Sequence, residues 1–118
     1  MKTILILDDM MMCHEKLGLY LRDKYKILDA YDTKTAHELI KQQKPDLIIS
    51  DVELSENGDR EGLSFIEKVS KEFPGTPILC MSMRNYRNAS EIAGADKFIF
   101  KKELFNNISK YIEEYLER

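Results

Sequence analysis

This sequence has few cysteines, no net basic charge and no long apolar run, and each of these features argues against a class of protein. The two cysteines, Cys13 and Cys80, lie far apart and belong to no CxxC or Cys/His pattern, so we expect buried free thiols in a reducing compartment rather than a disulfide or zinc ligands. The net charge is -3 and there is no basic stripe, which disfavours a nucleic-acid partner. The run Ile4–Leu7 is too short for a signal peptide, and no run could span a membrane. We therefore expect a cytoplasmic protein without a membrane partner.

What is present is the composition of an ordinary globular protein. The chain has 118 residues, of which 43% are hydrophobic and 33% charged, enough to build a core without disulfides or structural metals. No internal repeat, low-complexity tract or linker divides it. We expect residues 1–118 to form one domain.

The stretch Pro45–Asp51 (PDLIISD) is the segment around which the chain is organised. Its aliphatic residues Leu47, Ile48 and Ile49 are typical of a strand buried on both faces of a parallel sheet. Asp51 then lies at the carboxyl end of the strand, where open α/β sheets place their ligand sites. An aspartate at this position also serves often as a helix cap or turn former, and taken alone Asp51 fits that role better.

Strand-like and helix-like patterns alternate five times along the chain. Strands are predicted near residues 3–7, 25–28, 47–51, 77–82 and 97–100, and each is followed by apolar residues at helical spacing. This alternation predicts an α/β fold, a doubly wound five-stranded parallel sheet with helices on both faces. For five strands we expect the order 2-1-3-4-5, which puts the ends of strands one and three side by side.

Chemically useful residues follow four of the five strands. They are Asp8 and Asp9, Asp51, Ser82 and Lys101, and the expected topology brings them to one edge of the sheet. Three carboxylates in one pocket repel each other unless a cation lies between them, and hard oxygen ligands suit Mg²⁺. A lysine and a hydroxyl can contact phosphoryl oxygens, and an aspartate beside Mg²⁺ can form an aspartyl phosphate. The alternative is that each residue is a cap or a surface charge.

The segments ILILDD, PDLIISD, PILCMS and GADKFIFK resemble the receiver domains of two-component response regulators. The resemblance covers essentially the whole chain and implies the CheY-like, flavodoxin-like fold. It also implies a metal site for Mg²⁺ and a catalytic set. The metal ligands would be Asp8, Asp9, Asp51 and the main-chain carbonyl of Glu53; the phosphate acceptor would be Asp51, with Lys101, the switch hydroxyl Ser82 and the aromatic rotamer switch Phe98.

The resemblance further implies a phosphorylation switch. A sensor histidine kinase or histidine phosphotransfer protein would donate the phosphoryl group, and the domain would catalyse its own phosphorylation and dephosphorylation rather than act as a metabolic enzyme. We expect no output domain in this chain and a downstream protein target. Three alternatives stay open. They are a phosphorylation-independent receiver-like interaction module, an aspartate-nucleophile phosphatase using Glu53 as its acid, and, more weakly, a flavin binder of the same fold.

Several residues depart from the family pattern. The loop over residues 55–62 is longer than usual, and the segment between Ser82 and Lys101 is shorter. Lys102 replaces the usual cis-proline, which predicts a trans bond with a reshaped loop or a strained exception. Met83 is expected to narrow access to Asp51, and Glu53 and Arg84 either pair across the pocket mouth or remain solvated charges.

The histidines and the methionine cluster are predicted to have structural positions only. We place His14 and His37 at the surface or its boundary, because neither has a ligand partner at metal spacing. Met10, Met11 and Met12 are expected to pack into the core where the first helix begins.

Overall fold

The computed structural model of the protein describes residues 1–54 and 60–117. Strands and helices alternate as the sequence predicts. The strands are β1 (Thr3–Leu7), β2 (Lys26–Ala30), β3 (Leu47–Asp51), β4 (Ile78–Ser82) and β5 (Lys97–Phe100). The helices are α1 (Met11–Leu21), α2 (Thr33–Gln43), α3 (Arg60–Glu72), α4 (Arg87–Ala93), α5 (Lys101–Asn106) and α6 (Ile108–Leu116).

The five strands form one parallel sheet in the order β2-β1-β3-β4-β5. This confirms the expected doubly wound fold. Successive residues of β1 point to opposite faces: Ile4 and Ile6 pack in one core with α1, α5 and α6, whereas Leu5 and Leu7 pack in a second core with α2 and α3. The central strand β3 is buried along its whole length, as its unbroken apolar run indicates.

The last helix and the start of α3 differ from the sequence prediction. The single last helix is instead two helices, α5 and α6, separated at Asn107, whose φ of -144° and ψ of 45° are not helical. The predicted loop 55–62 lies partly outside the described residues, and α3 already begins at Arg60. Helix α4 has only 7 residues, in line with the shortened segment before Lys101.

The bond between Lys101 and Lys102 is trans, because the described residues contain no cis peptide bond. Helix α5 begins at Lys101 itself, directly after β5. Of the two predicted possibilities for this position, the trans bond with a different loop is therefore the correct one. Lys101 is held at the junction of a strand and a helix, and this placement fixes its backbone.

Two predictions about α1 are wrong. Met10, Met11 and Met12 are 57%, 63% and 59% exposed, because the inward face of α1 begins with Cys13. His14, predicted at the surface or its boundary, is only 2% exposed, because two acceptors inside the fold satisfy its ring nitrogens.

Other expectations about single residues are met. His37 is partly exposed and lies 2.8 Å from a carboxylate oxygen of Glu72, and Cys13 and Cys80 are buried free thiols. Within the described ranges, no helix has the length and apolar character needed to cross a membrane.

Gly62 allows α3 to approach the end of β3. A Cβ atom at this position would overlap the main-chain carbonyl of Val52, the residue after Asp51. Backbone cannot move away as a flexible side chain can, so the small residue is required here. The contact sets the distance between α3 and the strand end that bears Asp51.

We predict that Gly62→Ala lowers the free energy of unfolding by about 1–3 kcal/mol, because the added methyl group forces α3 away from Val52. Urea denaturation followed by circular dichroism measures this. Gly75→Ala is the matched control, since its Cβ would meet nothing within 4 Å. Equal losses in the two variants would contradict the packing argument.

Candidate functional site

The predicted site residues meet at the carboxyl edge of the sheet. Asp8 follows β1, Asp51 ends β3, Ser82 ends β4 and Lys101 follows β5. The strand order places β1 beside β3, with Leu7 opposite Ser50. The edge is therefore the switch point of the sheet, where α/β folds of this type hold their ligands.

Three carboxylates form the acidic centre of this edge. Oxygen atoms of Asp8, Asp9 and Asp51 all lie within 4.8 Å of one another. Asp8 is fully buried and Asp51 is 3% exposed, whereas Asp9 is exposed to solvent. The Lys101 ammonium joins the two buried acids: its Nζ atom lies 2.8 Å from Asp8 Oδ2 and 3.4 Å from Asp51 Oδ2.

The charges in this cluster alter one another's pKa values. Burial raises the pKa of Asp51 to about 7; the negative charge of Asp8 adds to this, while Lys101 opposes it. Burial and Asp8 likewise raise the pKa of Asp9. For Lys101, burial favours the neutral amine, but the contacts with Asp8 and Asp51 outweigh it, so its pKa is raised. One ammonium is therefore insufficient to balance three neighbouring carboxylates.

The arrangement fits a divalent cation. Asp8 Oδ1 accepts a hydrogen bond from the Met10 amide at 2.9 Å, and Asp51 Oδ1 accepts one from the Glu53 amide at 3.2 Å. Asp8 Oδ2 is buried and faces Lys101 but has no hydrogen-bond partner of ordinary geometry among the described residues. A buried carboxylate oxygen with unused acceptor capacity, among other hard oxygen donors, is what Mg²⁺ requires.

Ser82 contacts Glu53 rather than an aspartate. Its Oγ donates to Glu53 Oε1 at 3.0 Å and accepts a hydrogen bond from the Arg84 amide at 3.2 Å. Glu53 Oε2 also lies 3.9 Å from Arg84 Nε, so Glu53 and Arg84 do approach each other. The sequence left open whether these two residues pair or remain solvated charges, and it did not predict the bond between Ser82 and Glu53. Met83 is 74% exposed, and its effect on access to Asp51 stays a prediction.

Phe98 is packed inside the second core. It is 1% exposed and meets Phe100 edge to face, with ring centroids 5.3 Å apart. The Arg87 guanidinium lies 5.5 Å from the centre of the Phe98 ring and donates to its main-chain oxygen at 3.3 Å. The aromatic side chain therefore connects β5 to α4.

His14 is a site neighbour that the sequence prediction missed. Its Nε2 lies 2.8 Å from the main-chain oxygen of Asp8, and its Nδ1 lies 2.6 Å from Asp29 Oδ1. The sequence carried no local signal for this, because Asp29 on β2 comes next to His14 on α1 only after folding.

Comparison with known proteins identifies the family. The response regulator receiver domain model matches residues 4–113. The chain belongs to this family. Among curated relatives, it is 36% identical over 105 residues to the response regulator GtcR of Aneurinibacillus migulanus, and 31% identical over 103 residues to the transcriptional regulatory protein TcrX of Mycobacterium tuberculosis.

The structural similarity covers the whole receiver domain. A two-component response regulator from Clostridium difficile has a TM-score of 0.88 and 26% identity, and the match covers 100% of this chain and 98% of that one. The aligned segments make up 41% of GtcR and 43% of TcrX, so the chain spans about two fifths of those relatives. The absence of a nucleic-acid partner stays a prediction, because TcrX is described as a transcriptional regulator.

We predict that Asp51→Asn raises the free energy of unfolding of the metal-free receiver domain by about 1–3 kcal/mol near pH 7, because a buried charge disappears. The folded pKa of Asp51 is about 7, above the ordinary value of 3.8. The folded protein therefore binds the Asp51 proton more tightly than the unfolded chain does. The stability gained from this proton is complete below about pH 4 and is lost as the pH rises through about 7. The advantage of the variant should shrink accordingly on acidification.

Urea denaturation in a chelator at several pH values measures this difference. Asp23→Asn, a change at an exposed aspartate, is the control and should change stability little at any pH. A gain from Asp51→Asn that is absent or independent of pH would contradict the assignment of charge repulsion in the site.

Proposed function

We propose that this receiver domain is a phosphorylation-activated signalling switch in which Asp51 accepts a phosphoryl group from a phosphohistidine in a Mg²⁺-dependent reaction. The observation that supports this most directly is the Lys101 ammonium held between the two buried acids, 3.4 Å from Asp51 and 2.8 Å from Asp8. Such a cation beside a nucleophilic carboxylate is suited to a transferring phosphoryl group.

The transfer step uses Asp51 as the nucleophile. A carboxylate oxygen of Asp51 attacks phosphorus in line, the bond from phosphorus to the histidine nitrogen breaks, and the electron pair returns to the imidazole of the partner. Lys101 offsets the negative charge of the phosphoryl oxygens. Mg²⁺ held by Asp8, Asp9, Asp51 and the Glu53 carbonyl would supply further positive charge to the same oxygens. Water later cleaves the acyl phosphate, which restores Asp51.

The response would pass through Ser82 and Phe98. Ser82 has to release Glu53 before its hydroxyl can donate to a phosphoryl oxygen on Asp51, and its movement would leave space that the Phe98 ring can fill. Because Phe98 contacts Arg87 of α4, a rotation of the ring would alter the surface formed by α4, β5 and α5. Phosphorylation would thus bias an existing equilibrium between two forms of this surface, which a downstream protein reads.

We predict that acetyl phosphate with Mg²⁺ labels the wild-type protein and leaves Asp51→Asn unlabelled. Lys101→Ala should react about 10²-fold more slowly, because it removes the charge that stabilises the transferring group. Intact-protein mass spectrometry measures the incorporation. Asp23→Asn is the control and should react as the wild type does.

Acetyl phosphate labelling, together with beryllofluoride binding, separates the switch from its main alternative. A phosphorylation-independent interaction module of this fold would give no Mg²⁺-dependent labelling and no response to beryllofluoride. Labelling of Asp51→Asn at the wild-type rate would also refute the proposed acceptor.

We predict that Glu53→Ala increases the affinity for beryllofluoride about 3- to 10-fold, because the change frees the Ser82 hydroxyl and removes a negative charge near the incoming anion. The main-chain carbonyl proposed as a metal ligand remains. Titration monitored by NMR of the Ser82 amide measures the affinity. Glu67→Ala, at an exposed glutamate paired with Lys71, should have no effect, and an unchanged affinity in Glu53→Ala would show that the bond to Ser82 does not restrain the switch.

A further inference from the structure

His14 lies inside the fold between α1, β2 and the turn that follows β1. Its Nδ1 atom is 2.6 Å from Asp29 Oδ1, and its Nε2 atom is 2.8 Å from the main-chain oxygen of Asp8. The Tyr31 ring covers it, with centroids 4.2 Å apart at an interplanar angle of 32°. The histidine is thus enclosed and held at both ring nitrogens.

The partners of His14 fix its hydrogen-bonding roles. The Asp8 carbonyl can only accept, so Nε2 donates to it. Asp29 also accepts from Arg22, whose Nη2 lies 2.9 Å from Asp29 Oδ2. Nδ1 of His14 faces the other oxygen of this carboxylate, so the ring is held on the side opposite Asp8 as well.

The bond from His14 completes the fixation of Asp8. The Asp8 amide donates to the Ala30 carbonyl at 3.2 Å, and Asp8 Oδ1 accepts from the Met10 amide at 2.9 Å. With the carbonyl held by His14, the remaining polar atom of Asp8 is Oδ2, which faces Lys101 in the acidic centre. Without His14, the buried carbonyl of Asp8 would lose its side-chain donor. Only the Asp8 amide and Asp8 Oδ1 would keep the hydrogen bonds described above.

We propose that His14 is a positioning residue for the metal site of this receiver domain. Supported by Asp29, it holds the main chain of Asp8 so that the carboxylates of Asp8 and Asp9 face Asp51 in the arrangement that binds a divalent cation. The inference rests on the proposed function, because it assumes that these carboxylates bind Mg²⁺. Partners that orient metal ligands in this way commonly change metal affinity 10- to 100-fold when they are removed.

The test is Mg²⁺ affinity measured by isothermal titration calorimetry. His14→Leu introduces an apolar side chain of comparable size that cannot donate a hydrogen bond. We expect the dissociation constant of this variant for Mg²⁺ to rise about 10-fold. His14→Gln retains an amide donor for the Asp8 carbonyl and should recover most of the affinity. In His14→Leu, the amide NMR signals of Asp9 and Met10 should shift in the metal-free protein.

The controls separate positioning from general stability. His37→Leu removes a similar contact between a histidine and a carboxylate, that with Glu72, away from the acidic centre, and should leave Mg²⁺ affinity unchanged. Affinities are compared at a temperature at which urea unfolding shows each variant to be fully folded. If His14→Leu does not fold, Asp29→Asn decides, since it keeps the ring but removes the carboxylate that holds it and should weaken Mg²⁺ binding about 2- to 5-fold.

The outcomes distinguish this inference from the proposed function. Asp8→Asn should abolish Mg²⁺ binding; wild-type protein that binds no Mg²⁺, or Asp8→Asn that binds it normally, would refute the metal site and with it the role of His14. If the wild type binds and Asp8→Asn does not, an unchanged affinity in a folded His14→Leu, or in Asp29→Asn where His14→Leu does not fold, would refute the role of His14 alone.

Discussion

The contact of Lys101 with two buried aspartates is the interaction on which the rest of the site depends. Asp8 and Asp51 are nearly inaccessible to water, and like charges so close together are tolerated only when a cation compensates them. The ammonium supplies part of that compensation, yet burial and Asp8 still raise the pKa of Asp51 to about 7. The remaining negative charge is what the proposed Mg²⁺ would offset, and a phosphoryl group on Asp51 would lie beside that positive charge and Lys101.

The fold supplies this cluster through the ends of rigid strands. Parallel β1 and β3 lie side by side and bring Asp8 to Asp51, while α5 begins at Lys101, directly after β5. Gly62 lets α3 pack against the carbonyl that follows Asp51. Functional groups at the ends of packed elements are held more accurately than groups on long loops, and the chemistry proposed here requires such accuracy.

Two polar contacts outside the acidic centre connect it to the rest of the molecule. The hydroxyl of Ser82 donates to Glu53, and the bond from His14 to the Asp8 carbonyl connects the turn after β1 to α1 and, through Asp29, to β2. In the proposed switch the first contact would break when Asp51 is phosphorylated, whereas the second would persist. One hydrogen bond that breaks, next to another that persists, is the arrangement expected of an element with two stable states.

The sequence alone determined the order of strands and helices, the buried central strand and the identity of the residues at the strand ends, because period-2 and period-3.6 patterns and apolar runs are local properties. It also predicted the gathering of Asp8, Asp51 and Lys101, since the topology of an alternating chain restricts where strand ends can meet. Only the tertiary structure decided the burial of His14, the exposure of Met10–Met12 and the partner of Ser82. The physical reason is that a polar side chain can be buried wherever folding supplies acceptors or donors, and those partners come from segments far away in the chain.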